Sequence, residues 1–316
     1  MTARPRRVRL PTAAAVAAIA AVRALLAAGP AHADSLDSQL QVTVQAALAA
    51  PGDPVQAGVW FGAPGEPLYQ LAADRAMPAA SVIKTAVLIE LFAAHAGHLD
   101  EPLGPADAVL ADDKHPALAP FSAAQRQEIR AGLQGATVRT VGAIMMGSRK
   151  ASNAVYNAAA NLAIASLGGP AETTAKIRAR DPRFGGVVVG RYMLAARTPS
   201  DNTATPAALA AVLAAVATGQ IPGVDAATAS AAVQAMLQST DAALGVHRHK
   251  EGNLDSDPMV VVKTGFYLRG SGKPPLIYVV GAALAGKPTG GRDAARRRLD
   301  QLTDAVQARL RAAAGR

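Results

Sequence analysis

Cysteine is absent from the 316-residue chain, which excludes a disulfide, a thiolate metal site and a lipid-bearing cysteine near the amino terminus. The dinucleotide fingerprint and the phosphate-loop motif are also missing, so no cofactor is expected. No internal repeat and no low-complexity linker breaks the chain beyond a bias towards alanine. Metal-ligand spacing is equally scarce. His247 and His249 stand two apart with no third ligand nearby, so Gly245-Val-His-Arg-His-Lys-Glu-Gly reads as a solvated loop and no metal is expected.

Strong net charge is also lacking once the amino terminus is set aside. Arg4, Arg6, Arg7 and Arg9 precede an Ala-rich apolar stretch that ends at Ala31-His32-Ala33. A basic start, an apolar middle and a small-x-small site are expected of an export signal over residues 1–33. Arg23 interrupts the stretch, which argues against a permanent membrane anchor. Arg6-Arg7 leaves a twin-arginine route open. The segment holds five arginines and no acid, so the formal charge falls from +9 to +4 on its removal. That balance gives no case for nucleic acid as a partner. An exported, membrane-free monomer is expected, with a periplasmic or extracellular location, and its stability must come from its core.

Apolar residues at helical spacing run through 36–49 and stop at Pro51-Gly52. Two strand-like runs follow, Gln56 to Phe61 and Pro67 to Leu71, around Gly62-Ala-Pro-Gly65. A helix opening at Ser81 is expected to reach about Ala96, with a Pro-, Gly- and Asp-rich loop from Gly97 to Pro120. Residues 124–238 read mostly as Ala-rich helices. Strand character returns at Met259 to Lys263 and at Leu276 to Ala283, before a helix from Arg292 to Ala313 with Leu299, Leu302, Val306 and Leu310 on one face. The fold class expected is α/β: an antiparallel sheet built from both chain ends with flanking helices, plus an inserted all-α lobe. The α/β lobe would comprise 34–77 and 222–316, and the helical lobe 78–221.

Chemistry concentrates in Pro78-Ala-Ala-Ser81-Val-Ile-Lys84, where a hydroxyl and an amine three residues apart open a long apolar segment. Positions i and i+3 share a helix face, so the Lys84 amine can reach the Ser81 hydroxyl. Kept neutral by burial or nearby positive charge, that amine is a base for a serine nucleophile. Unpaired N–H groups of the first turn can face a developing oxyanion. Downstream, the β-branched run Met259-Val-Val-Val ends in Lys263-Thr264-Gly265. A Ser-x-x-Lys followed by Lys-Thr-Gly resembles the serine β-lactamase and penicillin-recognising family, in particular its class A members, over nearly all of the mature chain.

The resemblance implies an active site at the seam between the lobes. Ser81 would form an acyl-enzyme with Lys84 as base. Lys263 and Thr264 would hold a substrate carboxylate, Gly265 would let substrate approach the sheet, and the N–H of Phe266 would join that of Ser81 as the oxyanion hole. Two parts of the family pattern are displaced. The middle motif Ser-x-Asn falls on Arg149-Lys150-Ala151 counting from one side and on Val155-Tyr156-Asn157 from the other. A middle register offers Ser152 as the proton-relaying hydroxyl and Asn153 as the substrate-amide contact, with Asn157 four residues on. Tyr156 beside Asn157 is similar to the Tyr-x-Asn of other β-lactamases, off by one. The deacylating glutamate of class A members has no counterpart: no acid lies between Asp181 and Asp201, and Glu172 reads as a helix-terminus residue. The expectation is an exported serine hydrolase that opens β-lactams, or a peptidoglycan-derived substrate, and deacylates slowly. The alternatives are a D,D-peptidase or transpeptidase, and a non-catalytic descendant that binds peptidoglycan or another protein.

Overall fold

The computed structural model describes residues 55–270 and 272–314, with positions 38, 41, 42 and 45. The expected export signal and most of the helix expected at 36–49 lie outside the described residues. The sequence forms a six-stranded antiparallel sheet from Val55–Ala63 (β1), Glu66–Leu71 (β2), Leu237–Asp241 (β5), Gly245–Leu254 (β6), Met259–Leu268 (β7) and Leu276–Leu284 (β8), in the order β2-β1-β8-β7-β6-β5. β1 pairs with β8, Val55 opposite Leu284 and Gly62 opposite Ile277, so both ends of the chain build one sheet. The short pair Met77–Pro78 (β3) and Thr203–Ala204 (β4) ties the segment before Ser81 to the segment that closes a long loop.

β7 and β8 read as nearly continuous apolar runs because both their faces are covered. On one face Val260, Val262, Phe266, Ile277 and Val279 join the core of the helical layer. On the other Val261, Tyr267, Tyr278 and Val280 meet Leu299, Leu302, Val306 and Leu310 of the final helix. Between β3 and β5 the chain forms α1 (Lys84–Ala94), α2 (Gly104–Ala111), α3 (Ala123–Leu133), α4 (Val138–Met146), α5 (Asn153–Ser166), α6 (Pro170–Arg180), α7 (Pro206–Thr218) and α8 (Ala226–Ala235); the carboxyl-terminal helix is α9 (Arg292–Ala314). Local chemistry sets their ends. Ser122 and Gln125 form a capping box on α3. Thr137, Ser152, Thr205 and Asp225 cap α4, α5, α7 and α8.

Two stretches differ from expectation. The loop expected from Gly97 to Pro120 contains α2, whose Pro105 sits at the helix start where its missing N–H costs nothing. The loop expected around His247 and His249 is the strand β6. β6 alternates polar groups that find partners on both sides. On the helical side Arg248 donates to the Met236 carbonyl at 3.0 Å and Lys250 to the Met146 carbonyl at 3.2 Å, at the carboxyl ends of α8 and α4, where cations are favoured. On the other side His247 stacks between His249 and Tyr267, with ring centroids 4.6 and 4.5 Å away.

Candidate active site

Ser81 lies in a 3₁₀ turn, Ala80–Ile83, and Lys84 is both its C-cap and the first residue of α1. In a 3₁₀ turn residues i and i+3 eclipse, which stacks Lys84 under Ser81 more directly than the α-helical turn expected from the sequence. Ala80, immediately before Ser81, has φ of +46°, a strained conformation for a residue with a Cβ. Its neighbour Ala79 is held by an N–H bond to the Asn202 carbonyl at 2.9 Å.

The Lys84 side chain is fully buried at 0 % exposure. Its Nζ donates to Asn157 Oδ1 at 2.9 Å and lies 3.3 Å from the centre of the Tyr156 ring. The Asn157 amide is itself held by the Asn153 carbonyl and side-chain oxygen, both at 2.9 Å, across one turn of α5. Lys250 Nζ lies 4.7 Å from the centroid of the same Tyr156 ring. Burial, with the positive charge of Lys250 adding to it, pushes the Lys84 amine well below its ordinary 10.5. A buried amine of depressed basicity therefore follows one 3₁₀ turn after a serine that lines the cleft.

Ser81 opens on a cleft of about 480 Å³. Its walls are Asn153, Tyr156 and Asn157 of α5, the run Glu251 to Ser256 at the end of β6, and a loop carrying Arg191, Met193, Leu194, Ala195 and Arg197. β6 comes so near the 3₁₀ turn that a Cβ on Gly252 would stand 2.5 Å from the Ser81 nitrogen, so only glycine fits there. β5 covers β6 only over residues 245–249, which leaves the edge from Lys250 onward free to meet the turn.

The loop wall presents no acid to the cleft. Asn161, fully buried, grips Met193 through both backbone groups, accepting from its N–H at 2.6 Å and donating to its carbonyl at 3.2 Å. Asp201 pairs with Arg191 and Arg197 at 2.8 and 2.7 Å. Arg197 also reaches across to the carbonyls of Ser256 and Pro258 beyond β6, at 3.0 and 2.8 Å. Leu194 crowns the loop with φ of +65° and half its surface exposed. Val187 and Val189 are core residues. Glu172 sits in the first turn of α6, and Asp181 is engaged with Arg183, whose hydrogen bond holds its carboxyl below the usual range; neither lines the cleft.

Of the residues singled out in the sequence, the structure brings Ser81, Lys84 and Asn153 together, with Tyr156 and Asn157 from the later register of the middle motif. It does not bring the others. Ser152 is the N-cap of α5, its hydroxyl accepting from the Val155 N–H at 3.3 Å, and it does not line the cleft. Lys263, Thr264, Gly265 and Phe266 lie on β7, one strand inside the sheet. Lys263 pairs with Asp304 of α9 on the far face. Thr264 is buried and donates to the Lys250 carbonyl at 2.9 Å. Phe266 is at 0 % exposure in the helical-layer core. The strand beside Ser81 is β6, which carries its own lysine-x-glycine, Lys250-Glu251-Gly252, followed by Asn253. A second Lys-x-Gly about 13 residues before Lys263-Thr264-Gly265 was the available signal in the sequence.

A model of the beta-lactamase enzyme family matches residues 39–271. Among solved structures, a β-lactamase from Desulfarculus baarsii is 18% identical with a TM-score of 0.59, covering 86% of this chain and 94% of that one. An ancestral class A β-lactamase is 20% identical with a TM-score of 0.57, covering 86% and 99%. A β-lactamase from Sphaerobacter thermophilus is 20% identical with a TM-score of 0.54, covering 86% and 97%. At these identities the likeness is one of fold. No match was found among curated proteins.

Proposed function

Because this chain belongs to the β-lactamase enzyme family, we propose that it is an exported serine hydrolase that opens β-lactam or peptidoglycan-derived acyl donors through an acyl-serine at Ser81, and deacylates slowly. The observation that carries the reading is the buried Lys84 amine three residues after Ser81, its basicity depressed by burial and by Lys250. Lys84 takes the Ser81 proton as Oγ attacks the carbonyl. Asn157 orients the amine through its Oδ1. Tyr156 screens the amine from solvent and spaces it from Lys250. Lys250 is a positioning residue that acts through Lys84 by charge. The oxyanion donors are the backbone N–H of Ser81 and, at the free edge of β6, that of Asn253, in place of Phe266.

Deacylation needs a water made nucleophilic, and a positioned base contributes about two to four powers of ten. The loop wall offers Arg191 and Arg197 instead, and its one acid, Asp201, is bound to both. The same feature supports transfer of the acyl group to an amine, as a peptidase or transpeptidase does. Export rests on residues 1–33; no described helix is long and apolar enough to cross a membrane.

Intact-protein mass spectrometry with a penicillin and a cephalosporin tests this reading. An adduct that forms, persists for minutes and disappears in Ser81→Ala is expected. An adduct on the Ser81→Ala protein sinks the assignment of the nucleophile. Turnover on the order of 10 per second without accumulation sinks slow deacylation.

A further inference from the structure

The cleft's cations are already engaged. Arg191 and Arg197 share Asp201, and each also donates to backbone carbonyls, Arg191 to Tyr192 and Ala195, Arg197 to Ser256 and Pro258. Lys250 is buried, with its ammonium on the Met146 carbonyl and near the Tyr156 ring. Lys263 stands directly across from Glu251 in the pairing of β6 with β7, and its ammonium is committed to Asp304 of α9. Two carboxylates line the cleft, and Asp255 is paired with Arg296 at 2.8 Å. Glu251 is different. It stands exposed on the cleft-lining end of β6, next to the glycine that touches the Ser81 turn, and forms no ion pair among the described residues.

We propose that Glu251 sets the charge preference of the site, so that the cleft takes acyl donors carrying a cationic group, a primary ammonium, near the reacting carbonyl and disfavours donors carrying a carboxylate there. The proposal rests on the acyl-serine reading. A substrate carboxylate would meet an unpaired carboxylate with every nearby cation committed, whereas an ammonium would find its counter-ion. The preference is one of accessible charges, so it weakens as salt is added.

Three matched nitrophenyl esters test it on the full chain: 6-aminohexanoate, hexanoate and the monoester of adipate. In each, Ser81 Oγ bonds to the ester carbonyl carbon and passes its proton to Lys84, and the carbonyl–oxygen bond to nitrophenyl breaks with nitrophenolate leaving on the electron pair, so nitrophenolate release reads acylation. Exposed ion pairs are worth up to about 1 kcal/mol; with attraction for one ester and repulsion for the other, the amino ester should exceed the adipate ester in kcat/KM by about tenfold at low salt. Glu251→Gln should bring that ratio near unity, Glu251→Lys should invert it, and Glu251→Thr should speed acylation by a penicillin. A wild-type ratio near unity or in favour of adipate overturns the proposal, as does a ratio that survives Glu251→Gln. Binding by Ser81→Ala protein keeps this separate from the acyl-serine reading. Titrated with hexylamine or with hexanoate and followed by NMR, Ser81→Ala should bind the amine in preference, and Ser81→Ala/Glu251→Gln should lose that preference. If no ester acylates Ser81 the parent reading fails, while the presence or absence of that amine preference still decides the role of Glu251.

Discussion

Two neighbouring strands carry a lysine, one intervening residue and a glycine, and they use them for different ends. On β7, Lys263-Thr264-Gly265 is internal. Its lysine faces α9, its threonine hydroxyl is spent on the Lys250 carbonyl, and its glycine is required because a Cβ would collide with the Arg248 carbonyl and the Tyr278 hydroxyl. On β6, Lys250-Glu251-Gly252 is at the open edge. Its lysine faces Tyr156 beside Lys84, its glutamate lines the cleft, and its glycine lies against the Ser81 nitrogen. Glycine is forced at both positions by close approach, once to a sheet neighbour and once to the nucleophile's turn. A three-residue pattern specifies the backbone need; the strand's place in the sheet decides what the need serves.

Exchanging the glycines gives the largest contrast. Gly252→Ala puts a Cβ 2.5 Å from the Ser81 nitrogen and 3.1 Å from that of Val82, backbone atoms with little room to yield. Displacing a reacting group by about 1 Å can cost about a hundredfold, so acylation should fall by about that factor in protein that remains folded. Gly265→Ala overpacks the sheet and should cost stability, about 1–3 kcal/mol, with acylation per folded molecule little changed. Urea melts with acylation rates on both variants check this. Loss of acylation in Gly265→Ala at unchanged stability would return the site to β7.

Exchanging the lysines gives a smaller and more specific effect. Lys250 depresses Lys84 by charge, so removing it raises the pKa of Lys84. The neutral amine is the active base, and its fraction below the pKa falls tenfold for each unit the pKa rises. Lys250→Met should therefore move the acid limb of the acylation profile to higher pH, with slower acylation near pH 7 that recovers as pH rises. Lys263→Met should leave the limb in place and cost at most about 1 kcal/mol, because Asp304 is largely exposed. A limb that stays put in Lys250→Met would reduce Lys250 to a cap for α4. Lys84→Met should abolish acylation at every pH, because the base is gone, and it leaves Asn157 Oδ1 without its donor.

What was legible follows from how each segment is solvated. β7, β8 and the stripe on α9 were readable because buried apolar residues leave a period or a run in the sequence. Ser81 and Lys84 were readable because i and i+3 are adjacent in either kind of turn. β6 was hidden. Its inward positions Arg248 and Lys250 satisfy helix carboxyl ends where apolar residues would have signalled a strand, and its outward positions hold stacked histidines that read as polar. With β6 unseen, Lys263-Thr264-Gly265 was the one strand-borne motif in view, and Phe266 took the oxyanion place proposed above for Asn253. The middle motif was blurred for another reason. α5 begins at Asn153, so Ser152 is spent as its cap while Tyr156 and Asn157, a turn later, reach Lys84. Only the fold fixes which register faces the cleft.

The outer face of β6 allows the mildest test of the contrast, because there a polar strand residue takes the place of an apolar one. His247 Nε2 meets the Tyr278 hydroxyl at 2.9 Å and Nδ1 meets the Ser239 hydroxyl at 3.1 Å, with the ring stacked on Tyr267. Burial first, then the charges of His249 and Arg311, lower His247 from 6.5 to about 4. Between those values the unfolded chain binds a proton that the folded one does not. The stability contributed by neutral His247 is therefore present above about 6.5 and is lost as pH falls through about 4. His247→Phe keeps the stack and abolishes this titration, while leaving the buried Tyr278 hydroxyl short of a partner. The variant should be less stable than wild type at pH 7 and lose less stability on acidification to pH 4.5, so that the two urea midpoints converge. Midpoints that stay a constant distance apart would mean that His247 is protonated in the folded strand at pH 4.5, with β6 more open to water on this face than its packing implies.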